Sequence, residues 1–485
     1  MRGIQSFISA SISSSSTCLL VNYINMKIII AGAGAVGTHL ARLLAREKHE
    51  ITLIDESSTK LDGLMGNMDI MTMVASPTSI VHLREAGAER TDLFIGVTPD
   101  EARNMTSCML AHKLGAKKTV ARVDNSEYIT PEFRTFFREA GINSIVYPEM
   151  LAGKEISHDL SRSWVRQWWE FEEGRLILLG VKVRENSEIV NKPLKDFCKP
   201  DDPYLIVALK HGTETLIPRG NTCITPDDLV YFMTMPEHLS QIKTLAGKDG
   251  YKEVKHVMFL GGSSTAIHTI KNMPETMTAK VFETDPKRVN ELADIFLEEI
   301  DEGRVTILQA DGRDMNLLEE ENISFTQAFV ATTENSETNI LACLAAKRMG
   351  VRKTVAMVEN SDYIGMAESL DIGTIINKKT FAASHIYQMM LKADVASLKS
   401  LTIANADVAE IKVAKNSRVT KKLIRELRLP YNTTLGGFIR NGECQLINGN
   451  TQLQEGDTVV AFCIEDGIHK LEKFFSSKFS LGDLF

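Results

Sequence analysis

Three glycines, Gly32, Gly34 and Gly37, stand in the run KIIIAGAGAVGTHLA with the spacing G-x-G-x-x-G. The run before them is apolar, and the run after them has helical periodicity. In that context the first glycine permits a tight turn, the second lets backbone approach a pyrophosphate, and the third lets the following helix pack close to the strand. The start of that helix offers free N–H groups and a partial positive charge to phosphate. Asp55 follows 18 residues after Gly37 at the end of the next apolar run. A carboxylate there accepts from ribose hydroxyls and repels a 2′-phosphate, which favours NAD over NADP. Thr98 and Arg122 close two later apolar runs. Thr98 fits either a ligand hydrogen bond or a helix N-cap. Arg122 fits either a phosphate contact or a surface ion pair.

A second, altered version occurs in VMFLGGSSTAIHTI. Gly261 takes the place of Gly32, Ser263 that of Gly34 and Ala266 that of Gly37. Ser263 puts a side chain where close backbone approach is wanted. Glu283 ends the next apolar run in the ribose position, and Met357 stands where the first half has Arg122. A second site that is weaker, differently selective or empty is expected.

These residues need a sheet edge to bring them together. Short apolar runs at 27–31, 51–54, 70–74, 93–97, 119–123 and 144–147 read as strands buried on both faces. The amphipathic stretches between them, such as Val36, Leu40, Leu43 and Leu44, read as helices. This alternation predicts a parallel, doubly wound sheet whose strand ends place Gly32–Gly37, Asp55, Ser76, Thr98 and Arg122 on one edge. After about Ser163 the pattern changes to short strands with polar turns, at 176–183, 204–209, 214–218 and 229–233. Residues 240–253, with Gly247, Asp249 and Gly250, read as a linker.

The pattern then repeats. Residues 94–128 and 329–363 align without gaps, with 14 of 35 positions identical. LKHGTETLIPRGNTCITPDDLVYF and FIRNGECQLINGNTQLQEGDTVVAF repeat the smaller unit. The fold class expected is α/β, with two tandem Rossmann-like doubly wound parallel sheets, each followed by a small α+β domain. The expected divisions are 26–148, 164–240, 254–378 and 398–475.

Bulk properties narrow the function. The chain has 485 residues, a net charge of −8 and seven scattered cysteines without a CxxC pair. The acidic balance, without a dense basic cluster, argues against nucleic acid. The cysteine pattern fits reduced thiols in the cytosol. No apolar run reaches the ~18 residues of a membrane span. Residues 1–25, rich in serine, read as a disordered extension or as upstream of a true start at Met26; a targeting segment is the other reading. The sequence has no HExxH, GxSxG or P-loop pattern, and no acid–base pair stands out near the cofactor position. A binding protein is therefore favoured over an NAD-dependent oxidoreductase.

From Met26 to about Phe475 the chain resembles the TrkA family, the regulatory subunits of Trk-type potassium uptake systems, built from paired RCK (KTN) and RCK C-terminal domains. The resemblance rests on KIIIAGAGAVG with Asp55, LREAGAERTDLFIGVTPDEARNM, KKTVARVDNSEY, FVATTENSETNILACLAAKRMG and RKTVAMVENSDY. It implies a regulator of potassium uptake that binds NAD(H), with ATP or ADP as alternative ligands. It implies a homodimer or homotetramer on the cytoplasmic face of a TrkH/TrkG-like membrane potassium-translocating subunit. A regulator of another cation transporter is the alternative within that reading. Carried over by position, the first-half contacts are Gly32, Ala33, Gly34, Ala35, Val36, Asp55, Thr98 and Arg122. The second-half contacts are Gly261, Gly262, Ser263, Ser264, Thr265, Glu283 and Thr333. The chain departs from the family at the third strand, where Ala75-Ser76-Pro77 stands in place of a Gly-Asp pair; the second half keeps Asp311-Gly312.

Overall fold

A computed structural model of the chain describes residues 26–45, 49–62, 64, 69–212, 214–391, 398–401, 406–464 and 467–476. The expected extension over residues 1–25 lies outside them.

The first half opens with six strands, β1 (Lys27–Ala31), β2 (Glu50–Asp55), β3 (Met71–Val74), β4 (Leu93–Gly96), β5 (Lys118–Arg122) and β6 (Ser144–Val146). They form one parallel sheet in the order β3-β2-β1-β4-β5-β6. The order reverses between β1 and β4, and ligands of doubly wound sheets bind outside the carboxyl ends at such a point. The central strands are apolar because helices cover both faces. Ile28, Ile30, Leu53 and Ile95 pack on one side, and Ile29, Ile54 and Phe94 on the other. Strands β12 (His256–Leu260), β13 (Thr278–Glu283), β14 (Val305–Gln309), β15 (Ala328–Ala331), β16 (Lys353–Met357) and β17 (Thr374–Ile376) repeat this order as β14-β13-β12-β15-β16-β17.

Each parallel sheet is followed by an antiparallel one. The first contains β7 (Gln167–Phe171), β8 (Leu176–Lys182), β9 (Tyr204–His211), β10 (Glu214–Leu216) and β11 (Leu229–Thr234), ordered β10-β9-β11-β8-β7. The second contains β18 (Leu398–Leu401), β19 (Ala406–Lys412), β20 (Thr433–Arg440), β21 (Glu443–Leu446) and β22 (Thr458–Ile464), ordered β18-β19-β22-β20-β21. The two sheets share a core in which Leu178, Val207, Tyr231 and Met233 meet Val408, Val460 and Phe462.

The two parallel units exchange their terminal helices. The helix Pro148–Ser161 leaves the first unit and packs on the helix Ser264–Asn272 of the second. Ala152, Ile156 and Leu160 share a core with Phe259, Ile267 and Ile270. The approach is close: a Cβ on Gly153 would lie 2.6 Å from the His268 Cβ. The helix Lys378–Leu391 crosses back onto the helix Ala35–Ala45, where Ala382, Ala383 and Ile386 meet Leu40 and Leu44. Each parallel unit therefore completes its apolar core with residues from the other half.

The reading of 240–253 as a linker needs correction. Leu239–Leu245 is a helix whose Ile242 is buried with Val181 and Phe232. Its Leu-x-x-Ile-x-x-Leu spacing places three apolar side chains near one face, enough for a short helix once a sheet lies beneath it. Strand β7 also lay outside the strands expected from sequence. Its residues Gln167, Trp168 and Trp169 are half-buried at a sheet edge, without the alternation that marks a strand.

Candidate nucleotide site

The glycine turn follows β1 directly. Gly32 has φ 115°, in the region that favours glycine, and a Cβ there would lie 2.8 Å from the Thr98 N. A Cβ on Gly37 would lie 1.8 Å from the Gly32 carbonyl oxygen, so the helix Ala35–Ala45 approaches the turn only because position 37 has no side chain. Gly34 differs: nothing lies within 4 Å of where its Cβ would be. Its missing side chain leaves open space at the mouth of the turn, where backbone is accessible. Val36, in the first turn of that helix, is buried against the sheet, so its main chain is what it can present. Ala33 is buried and Ala35 exposed.

Asp55 ends β2 beside the turn. Its Oδ2 accepts from the Ala33 N–H at 2.8 Å and its Oδ1 from the Ser57 N–H at 2.9 Å. Lys60 Nζ stands 3.5 Å from Oδ2. Burial works against ionisation, but the Ser57 and Ala33 N–H groups and Lys60 outweigh it and hold the carboxyl below its ordinary value. Asp55 is thus a fixed anion at neutral pH.

Thr98 sits at the end of β4, against the turn. The N-cap of the helix Glu101–Leu114 is Asp100, whose carboxylate accepts from the Arg103 N–H, so Thr98 is not the cap. The Thr98 hydroxyl instead donates within a buried knot, lying 2.7 Å from Asn104 Oδ1. Asn104 Nδ2 donates in turn to the carbonyls of Thr98 and Arg122, stitching β4 to β5. Arg122 makes the ion pair foreseen as its alternative, with Asp124 at 2.7 Å, and points Nη1 to the Thr98 carbonyl at 3.4 Å.

Asp55 and Thr98 line a cavity of about 320 Å³ with Glu56, Ser57, Lys60, Pro77 and Arg103. Arg103 Nη1 reaches Glu56 at 2.6 Å across the mouth. Sequence reasoning missed Glu56, Ser57, Lys60, Pro77 and Arg103. One signal was available for Arg103: it lies in the first turn of the helix that Asp100 caps, hence at the same sheet edge.

The second half keeps the frame and changes the mouth. Gly261 has φ 92° and abuts Thr333. The Gly262 N–H donates to Glu283 Oε2 at 2.8 Å, as Ala33 does to Asp55. Arg288 Nε donates to the Gly262 carbonyl at 2.7 Å. Thr333 and Asn339 reproduce the Thr98–Asn104 knot at 2.6 Å, and Asn339 also reaches the Met357 carbonyl. Ser263 is the N-cap of the helix Ser264–Asn272, accepting from the Ala266 N–H. Its hydroxyl therefore occupies the helix end that Gly34 leaves open. The Ser264 side chain is half-buried and Thr265 is buried.

The TrkA-N domain family matches residues 28–148 and 257–378, and the TrkA-C domain family matches residues 178–247 and 408–476. The Trk system potassium uptake protein TrkA of Haemophilus influenzae is 29% identical over 460 residues, covering 93% of this chain and 98% of its own length. A TrkA homolog of Archaeoglobus fulgidus is 27% identical over 453 residues, covering 93% of this chain and 100% of its own. The solved structure of the GsuK RCK domain superposes with a TM-score of 0.55 at 15% identity, covering 93% of this chain and 95% of that one. The GsuK channel bound to NAD superposes at 0.54 and 14%, covering 93% and 79%. Among the described residues no helix is long and apolar enough to cross a membrane. Two TrkA-N and two TrkA-C domains, alternating along one polypeptide, make this chain a member of the TrkA family.

Proposed function

We propose that the chain is a nucleotide-binding regulatory subunit of a potassium uptake system, and that its primary ligand site is the carboxyl edge of the first parallel sheet. The observation that carries this reading is the open space over Gly34 beside a fixed Asp55 carboxylate and a 320 Å³ cavity. The Gly34–Val36 backbone would hold a pyrophosphate at the helix start. Asp55 would accept from ribose hydroxyls, and its charge favours NAD(H) over NADP(H). Thr98 lines the cavity, and Arg122, which points to the Thr98 carbonyl, would reach a ligand phosphate from beside it. ATP and ADP share the ribose and phosphate groups and compete for it. The full names of the relatives, together with a TrkA-family architecture over almost the whole chain, support potassium transport as the process served.

In the second half Gly261, Gly262, Glu283 and Thr333 keep the frame, while the Ser263 cap narrows the helix end. That copy would bind more weakly or select differently. The regulatory step would be a change in how the four units pack, in a homodimer or homotetramer held against a TrkH/TrkG-like subunit on the cytoplasmic face. A ligand drives such a change only through unequal affinity for the two arrangements. Turnover of the nucleotide has no part in this proposal.

Calorimetric titration with NADH, NAD, ATP and ADP tests it. Binding abolished by Gly34→Glu and weakened by Asp55→Ala supports the first-half site. Binding unaffected by both moves the site to the second half, and absorbance change of NADH with turnover would return the chain to the oxidoreductases.

A further inference from the structure

The amino edge of the second parallel sheet, opposite its glycine turn, carries a charge imbalance. Asp371 lies in the turn before β17. Its Oδ1 receives Arg166 at 2.9 Å and Lys182 at 2.9 Å, and its Oδ2 receives Arg184 at 3.1 Å and Lys347 at 3.0 Å. Arg166, Lys182 and Arg184 come from the first antiparallel unit, and Asp371 and Lys347 from the second parallel unit. One carboxylate thus faces four cations. A second anion nearby is Asp227, whose side chain is 60% exposed and which reaches Arg184 at 2.6 Å and Lys182 at 3.8 Å.

A fifth cation is close. Lys248 is 2% exposed, and its Nζ has the Tyr251 hydroxyl at 3.5 Å and the Tyr251 ring at 4.6 Å. No carboxylate lies within ion-pair distance of it among the described residues. Burial, followed by the fields of Arg184 and Arg166, pushes its ammonium down to about 6. The four cations around Asp371 retain side-chain exposures of 19–27%, so the cluster opens to solvent on one side. Among the described residues Arg166 donates one side-chain N–H, to Asp371.

The internal repeat supplies a control. By strand register, Gly141 occupies the position of Asp371 and Ala414 that of Arg184. His112 aligns with Lys347. Lys412 keeps the charge of Lys182, but the positions of Asp371, Arg184 and Lys347 fold in the other half without theirs, so the fold itself does not require the cluster.

We propose that this seam is a binding site for a small oxyanion of the phosphate class, held by Arg166, Lys182, Arg184 and Lys347. Guanidinium forks with flanking ammonium groups suit the geometry and charge of a phosphate group. The site is separate from the nucleotide edge and does not depend on that assignment. It joins two units, so an occupied site ties the first antiparallel unit more firmly to the second parallel sheet.

The test is calorimetric titration of the full-length protein with sodium phosphate, with ionic strength held constant by chloride. Saturable binding is expected to persist in the Gly34→Glu protein, whose nucleotide cradle is blocked, and to weaken at least ~10-fold when Arg184→Ala is added to it. Lys347→Gln, at the rim, repeats the test should Arg184→Ala fail to fold by circular dichroism. In the Gly34→Glu protein, ATP that competes with phosphate would identify a nucleotide phosphate as the source; phosphate binding alone would identify the free ion. The proposal is overturned by absence of saturable binding in the unaltered protein, by displacement of phosphate with NADH, or by binding that survives both cluster variants.

Discussion

The Ala33 N–H donates to the Asp55 carboxylate at 2.8 Å, so the glycine turn and the end of β2 form one hydrogen-bonded unit. Gly262 and Glu283 repeat the bond at 2.8 Å in the second half. The carboxylate therefore holds the turn in shape before any ligand arrives. Asp55→Ala should both weaken ligand binding and leave the Ala33 N–H without its acceptor, at a cost of about 1–3 kcal/mol in stability. Asp55→Asn, which keeps an acceptor but no charge, should bind NADP(H) better relative to NAD(H). Parallel denaturation and titration of both variants separate the two effects.

Asp55 is held below its ordinary value, so its contribution to stability is complete above the unfolded carboxyl value of about 3.9. It is lost as pH falls through the folded value. The acid limb of a thermal-stability profile should be shallower in Asp55→Asn than in the unaltered chain.

Gly34 and Gly37 should separate binding from folding. A side chain at 34 meets empty space, so Gly34→Glu should leave the melting temperature nearly unchanged while lowering nucleotide affinity at least ~10-fold through bulk and charge. Gly37→Ala drives a methyl into the Gly32 carbonyl and should destabilise by about 1–3 kcal/mol or more. Equal stability loss in both would contradict the assigned roles.

Asp159 on the exchanged helix Pro148–Ser161 pairs with Lys353 at the start of β16, at 2.6 Å, with Lys353 3% exposed. Asp159→Ala strands that ammonium and should cost about 3–5 kcal/mol. Asp159→Ala with Lys353→Met removes both charges and should recover much of it. Chemical denaturation of the single and double variants measures the difference.

Lys248 should make the protein more stable as pH rises. Its folded value of about 6 lies below the unfolded 10.5, so between those values the unfolded chain binds the extra proton. The unfolding free energy then increases with pH by at most about 1.4 kcal/mol per unit for this group, and is flat with respect to it below 6. Lys248→Met should flatten the slope between pH 7 and 9 and raise stability at pH 7.

Much of this molecule was written locally. The strands of both parallel sheets are apolar runs bounded by turn residues, and Gly32, Gly34 and Gly37 lie between a strand and a helix. Such patterns are short in range, and so is the rule that a carboxylate at the end of β2 faces the turn. The duplication was legible because 14 of 35 residues coincide between the halves. The three-dimensional arrangement decided what depends on distant partners. Thr98 has the type of a ligand contact or a cap, but its hydroxyl is committed to Asn104, which requires β4, β5 and the intervening helix to be in place. The helices at 148–161 and 378–391 bury Ala152, Ile156 and Leu160, and Ala382, Ala383 and Ile386, yet those residues do not say which sheet they will cover. Arg166, Lys182, Arg184 and Lys347 are spread over 182 positions of sequence and converge on Asp371 only after two units dock. Periodicity reports which side of an element is buried; the identity of the neighbour is set by packing across the whole chain, which no local window contains.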